Sequence, residues 1–304
     1  MFVSRDIYIK NCNEQKIGHQ LTDEEIRMLQ TRLFRMYRDL EAVCKKHGLR
    51  MMLAYGNVIG VMRHGGWIPW DDDLDVHMPR EDYDKLLNDY VDELPEQYRV
   101  YAPHTKWGPS YRFAKIIDTS TLFVPIESDR DSEFYPGVFI DIFPLENIST
   151  NKFVNTFKKA VSVMLSFTAR SVEINKSFSK EYKTMMCSTR AGRINYNFRN
   201  VWGFLTSFVS APTWYRWIDK FNQHKKKTGY LHIPTDLTSF VWKPIPENMF
   251  FPTREVPFEG ENSVYVPGRT EDYLELVYGD WKTIPPADKI WHHYIKEIEI
   301  PQNS

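Results

Sequence analysis

The sequence predicts an α/β protein of the α+β kind: a mixed-sheet core, a helical insertion, and a C-terminal segment of short strands and loops. Three observations predict it. The first half interleaves helical periodicity with short β-type apolar runs. The stretch Asn151–Lys227 changes to a helical, aromatic and basic pattern without a comparable acidic motif. From Leu231 to Pro267 prolines multiply and short β-type runs return, as in Ser263-Val264-Tyr265-Val266. The resulting division is a core over 20–150, an insertion over 151–230 and a terminal segment over 231–304 that returns to the site. The chain has no internal repeat and no low-complexity tract.

Each element has a local reason. Thr22 opens a helix and Glu25 completes a capping box. Ile26, Leu29, Leu33, Met36, Leu40 and Val43 follow at helical spacing, and Gly48 after Lys45-Lys46-His47 is a natural stop. A strand is expected over Arg50–Tyr55, then a glycine turn at Gly56-Asn57, a short helical piece over Val58–Met62 and a loop at Arg63-His64-Gly65-Gly66. An acidic strand and a helix over Arg80–Val91 come next. Further strands are expected at Tyr98–Tyr101, Tyr111–Ile117 and Val138–Phe143, and a last helix at Thr270–Tyr278.

With 304 residues the chain can bury a sizeable core. Its 39 basic and 40 acidic residues nearly cancel, which gives no support for general nucleic-acid binding. Three cysteines, Cys12, Cys44 and Cys187, form no Cys-x-x-Cys pair, so neither a disulfide framework nor a zinc site is expected. The N-terminal MFVSRDIYIKNCNEQ has no apolar signal core, and no apolar run is long enough to span a bilayer. The expected location is cytoplasmic, including the inner face of a membrane.

Asp71-Asp72-Asp73-Leu74-Asp75-Val76 carries the chemistry. Carboxylates this close repel, so they need a compensating cation or open solvent. Trp70, Leu74, Val76 and Met78 argue against open solvent. In an extended strand Asp71, Asp73 and Asp75 share one face while Leu74 and Val76 point to a core. Such a comb suits a hard divalent cation, Mg2+ or Mn2+. Upstream, Gly56 permits close backbone approach to a phosphate, and downstream Ile140-Asp141-Ile142 sets one acid in a β-type apolar run.

This order of helix, strand, glycine turn, acidic pair and later single acid resembles the nucleotidyltransferase fold. The strings LAYGNVIGVMRHGGWIPWDDDLDVHMPREDYDKL, GVFIDIFPL, FPTREVPFEG and YGDW, with the later PP and HH, are similar to the LicD family of phosphotransferases, related to fukutin and fukutin-related protein. The resemblance runs from about Leu21 to His293 and is weaker in the middle. It implies transfer of a phospho-substituent, such as phosphocholine or a phospho-alditol, from a CDP-linked donor to a hydroxyl of a cell-surface glycan precursor of the lipopolysaccharide, capsule or teichoic-acid type. On that reading Asp73 and Asp75 hold Mg2+ against the donor diphosphate, and Asp141 completes the metal site or accepts the acceptor's proton. Asp71 orients from behind, and Arg63, Arg112 and Lys115 neutralise phosphate oxygens. Gly56, Asn57 and His293 complete the nucleotide site, or His292 and His293 are structural. Asn57 stands where the family usually has Thr or Ser, and its amide donates with a different reach.

Other readings compete. A calcium loop needs glycine where Val76 stands, and Pro79 interrupts it. A haloacid-type phosphatase needs Asp-x-Asp-Gly-Thr, which is absent. A nucleotide-sugar glycosyltransferase with an Asp-x-Asp metal site stays open, as does a nucleotidyltransferase releasing pyrophosphate. Phe198–Trp217 mixes aromatic and basic residues and Lys225-Lys226-Lys227 follow. It reads first as a packed helical layer, with peripheral membrane contact as the alternative.

Overall fold

The computed structural model describes residues 14, 16, 18–104, 111–126, 136–177, 180–235, 243–286, 290 and 294–301. His292, His293 and Cys12 lie outside them.

After the short strand β1 (His19–Gln20), helix α1 spans Asp23–His47. Thr22 Oγ1 accepts the Glu25 N–H and Glu25 returns a carboxylate to the Thr22 N–H at 2.8 Å. Gly48 ends the helix at φ 66°, a left-handed conformation that glycine adopts without Cβ strain. All six predicted apolar positions of this helix are buried.

The main sheet is built on β2 (Met52–Leu53), β3 (Asp75–Pro79), β4 (Tyr98–Tyr101), β5 (Ala114–Asp118) and β7 (Val138–Asn147). Their spatial order is β2-β3-β7-β5-β4. The β3–β7 pair is parallel, and β2–β3, β7–β5 and β5–β4 are antiparallel. Beyond this order the far end of β7 pairs with β8 (Tyr230–His232), which pairs with β9 (Ile245–Pro246). Strand β6 (Leu122–Pro125) joins β1 and β12 (Tyr294–Glu299) in a separate small sheet, and β10 (Arg254–Phe258) and β11 (Asn262–Val266) form a hairpin. This is a mixed α/β fold of nucleotidyltransferase-like architecture with helical insertions.

Between β2 and β3 the chain forms α2 (Tyr55–Ile59), which widens into a π-helical turn over Gly60–His64. The expected strand over 50–55 shrinks to two residues, and Gly56-Asn57 lie inside the helix instead of in a turn. The reason is Tyr55, whose φ of 47° turns the chain one residue before the glycine. Left-handed tyrosine is uncommon and needs support from its surroundings. Its N–H donates to the Tyr273 hydroxyl at 3.1 Å. Helix α3 (Arg80–Lys85) also continues into a π-helical turn, Leu86–Tyr90.

Four helices follow: α4 (Lys152–Ser177), α5 (Lys180–Met186), α6 (Arg190–Thr206) and α7 (Ala211–Asn222). The α6 and α7 starts are capped by Thr189 and Ser210. A buried ionic knot ties α7 to the sheet. Arg80 bonds Glu146 of β7 at 2.5 Å and Asp219 of α7 at 2.7 Å, and His104 reaches Asp219 at 2.9 Å. Helix α8 (Thr270–Tyr278) packs beside α2 and buries Tyr273 and Leu274. Among the described residues no helix is long and apolar enough to cross a membrane.

Candidate functional site

Three neighbouring strands bring charged residues into one row. In register, Asp75 of β3 stands beside Asp141 of β7, and Asp141 stands beside Lys115 of β5. Residues opposite one another across paired strands share a face. Lys115 Nζ lies 2.6 Å from Asp141 Oδ1. The ammonium also sits over the Phe139 ring, 3.1 Å from its centroid. Lys115 is therefore engaged with Asp141 at the site, not directed only at solvent.

Asp71 to Leu74 precede the strand and do not belong to it, since β3 begins at Asp75. The expected carboxylate comb on one strand face is thus a loop followed by one strand residue. Side chains from other elements take up the backbone groups that a neighbouring strand would have paired. Gln30 of α1 donates to the Ile68 and Asp71 carbonyls at 3.1 and 2.9 Å. Asn57 of α2, only 4% exposed, donates to the Asp73 carbonyl at 3.0 Å and accepts the Asp75 N–H at 2.7 Å. The same amide lies 3.3 Å from Asp71 Oδ2. Asn57 thus supports the acidic loop. Gly56 lies against the loop too, because a Cβ there would sit 3.5 Å from Asp71 Oδ2.

The electrostatics follow from this crowding. Burial holds the Asp75 carboxyl well above the usual range, and the charges of Asp73, Asp141 and Asp71 push it further, against the pull of Lys115. Burial likewise raises Asp71, with Asp73 and Asp72 adding to it. Asp71, Asp73 and Asp75 nevertheless keep part of their surface open to solvent, so the cluster can be reached.

Among the described residues no three His, Cys, Asp or Glu side chains converge as a ready metal cage. The donor chemistry does fit a hard divalent cation: oxygen ligands, crowded enough to raise one another's proton affinity. Closing the set around a cation requires Asp141 to share itself between that cation and Lys115.

Arg63 sits on the π-helical turn and donates from Nη1 to the Trp281 and Thr283 carbonyls at 3.0 and 3.3 Å, which ties down the C-terminal segment. Burial depresses its pKa, and burial with the Arg63 charge depresses that of His64. Arg112 lies over the Phe113 ring, 5.2 Å from its centroid, just before β5. His293 lies outside the described residues.

Sequence reasoning missed three neighbours of the cluster. His77 is fully buried on β3, bonded to the Tyr273 hydroxyl at 3.2 Å, and burial lowers its pKa to about 3. Tyr273 therefore joins β3 to the turn at Tyr55. Tyr278 ends α8 within electrostatic reach of Asp75, Asp71 and Asp73. Its phenol is raised by desolvation first, then by Tyr273 and those carboxylates. The sequence signals were the place of His77 in the LAYGNVIGVMRHGGWIPWDDDLDVHMPREDYDKL string and of Tyr278 in the YGDW string, whereas Tyr273 lay in neither.

Residues 48–190 match the model for the LicD/FKTN/FKRP nucleotidyltransferase domain. The lipopolysaccharide cholinephosphotransferase LicD of Haemophilus influenzae is 23% identical over 265 residues, covering 85% of this chain and 92% of that protein. Among solved structures, E. coli MS115-1 CdnC with ATP overlaps 64% of this chain and 66% of its own, at 14% identity and a TM-score of 0.22.

Proposed function

We propose that this chain, which carries a LicD-type nucleotidyltransferase domain over residues 48–190, transfers a phospho-substituent such as phosphocholine from a CDP-linked donor to a glycan hydroxyl. The observation that carries the reading is the row of Asp75, Asp141 and Lys115 across three paired strands, beside the buried carboxylate of Asp71. Similarity to the Haemophilus cholinephosphotransferase along most of both chains supports the choice of transferred group.

Asp73 and Asp75 would hold Mg2+ or Mn2+, with Asp141 completing the set. When bound, the cation neutralises charge on the donor diphosphate. The chain's own residues do the remaining work. Asn57 and Gln30 hold the acidic loop in place. Lys115 balances Asp141 and offers a cation to a phosphate oxygen as the charge shifts. The acceptor oxygen attacks the phosphorus, the bond to the cytidylyl phosphate oxygen breaks, and CMP leaves. The hydroxyl proton passes to a carboxylate of the cluster, which is Asp141 where it does not complete the metal set.

The test is calorimetric titration of CMP and CDP-choline, each with and without Mg2+. Mg2+-dependent binding that prefers cytidine over uridine is expected. Equal or tighter binding of UDP moves the assignment to a nucleotide-sugar glycosyltransferase, and absence of nucleotide binding under every condition overturns the enzymatic reading.

A further inference from the structure

The helical layer has apolar clusters between its helices, yet it also turns a crest of large apolar side chains to the outside. Helix α4 buries Asn155, Ser162, Ser166 and Ser171, all at 6% exposure or less, alongside the apolar Ala169, Val172 and Ile174. Its outer side shows Phe153 at 89%, Phe157 at 67% and Met164 at 56%. An ordinary amphipathic helix keeps its large apolar residues on the buried side. Helix α6 repeats the pattern. It meets α4 through Gly203, where a Cβ would lie 2.0 Å from the Ser171 carbonyl oxygen. The contact is supplemented by polar bonds, Asn175 to the Asn200 side chain at 3.0 Å and Trp202 Nε1 to Thr168 Oγ1 at 3.0 Å. Facing outward are Ile194, Phe198 and Leu205 at helical spacing, with Phe204 at 70% and Phe208 at 83% exposure. At this α4–α6 seam small and polar residues meet while large apolar ones turn outward, which is how helices pack when the surroundings are apolar.

Charge identifies those surroundings. Residues 151–227 hold 15 basic and 3 acidic side chains, whereas the rest of the chain holds 24 and 37. The layer is therefore strongly cationic on a protein whose remainder is strongly anionic. A second copy seated on this face would oppose two cationic layers, which like-charge repulsion disfavours. An anionic lipid surface complements both the charge and the apolar crest. No described helix can cross a bilayer, so the helices would lie along the surface.

We infer that α4 and α6, with the lysine run at Lys225-Lys226-Lys227, form a docking face for an anionic membrane surface. The phenylalanines enter the headgroup boundary and the basic side chains pair with lipid phosphates. This inference stands independently of the reaction assigned above.

The experiment is co-sedimentation of the full chain with vesicles of phosphatidylcholine alone or mixed with an equal part of phosphatidylglycerol. Binding is expected to the mixed vesicles, to be weak on the neutral ones, and to decline with salt. Phe157→Glu with Phe208→Glu should lower partitioning by about tenfold or more for each phenylalanine, and Lys225→Glu/Lys226→Glu/Lys227→Glu should abolish the preference for anionic lipid. Both phenylalanines are solvent-exposed, and circular-dichroism melts matching the parent confirm that the variants fold. Failure to bind either vesicle, or binding that ignores the phenylalanine changes, overturns the inference. A self-associating chain that these changes disperse, with no lipid binding, assigns the face to a second copy and overturns it equally.

Discussion

Replacing Asn57 probes how the acidic loop is held. Its side chain satisfies the Asp75 N–H at 2.7 Å and the Asp73 carbonyl at 3.0 Å from a position 4% exposed. Asn57→Ala leaves both backbone groups without that partner. Each buried unsatisfied group costs about 1–3 kcal/mol. Asp73 keeps part of its surface open to water, so the expected loss is about 2–4 kcal/mol in total. Asn57→Asp separates the bonding argument from packing. It keeps the size and the acceptor for the Asp75 N–H, but turns an acceptor toward the Asp73 carbonyl and the Asp71 carboxylate. At neutral pH this variant should be at least as unstable as Asn57→Ala. On acidification it should regain stability as the new carboxyl takes a proton and donates again. Urea unfolding at several pH values reads both effects. A loss below about 0.5 kcal/mol for Asn57→Ala, or an Asn57→Asp variant whose deficit does not change with pH, refutes the view that these bonds anchor the loop.

Other outcomes follow from the same packing. Asp75→Asn removes a charge crowded by burial and by Asp73, Asp141 and Asp71, so it should raise the urea midpoint while abolishing transfer; a variant that transfers normally sinks the assigned role of Asp75. His77 and His232 are buried, and desolvation lowers each from 6.5 to about 3. Between those values the unfolded chain binds protons that the folded chain refuses, so stability falls as pH drops through the window. At about pH 5 the loss should be about 2 kcal/mol for each histidine. His77→Gln and His232→Gln should each flatten the acid limb of the stability curve, and an unchanged limb in both variants would contradict the burial argument.

What the sequence made legible divides along local and non-local physics. Helix α1 was readable because its capping box, its apolar period and its terminal Gly48 all lie within the segment itself. The acidic residues were readable as a set, but their conformation was not. Alternation suggests a strand, yet Gln30 and Asn57, from two other helices, take the loop's backbone groups. The row of Asp75, Asp141 and Lys115 depends on which strands are neighbours, and nothing near any of the three encodes that. Tyr273 was legible only as an apolar helix position, whereas its hydroxyl joins Tyr55 and His77. In the helical layer the mixture of aromatic and basic residues is plain in the sequence, and it is equally compatible with a packed layer. The outward direction of the aromatics follows from the close approach at Gly203, a tertiary fact.

Under the proposed function, the charge at the site also sets how nucleotide binding should respond to pH. A diphosphate approaching Asp71, Asp73, Asp75 and Asp141 meets several like charges and the single ammonium of Lys115 within the row. Two things can relieve that repulsion: protons or a divalent cation. Burial and mutual repulsion raise Asp71 and Asp75, so protons reach them more readily than they reach ordinary carboxylates. With a chelator present, CDP-choline affinity should therefore fall as pH rises and these groups ionise. With Mg2+ present the dependence should reverse, because the cation binds only the ionised carboxylates. Calorimetry across the acid-to-neutral range reads both slopes, and Asp75→Asn should reduce each of them. Slopes of the same sign with and without Mg2+ would mean that the donor phosphates do not approach this cluster, and the site would then have to be sought elsewhere in the fold.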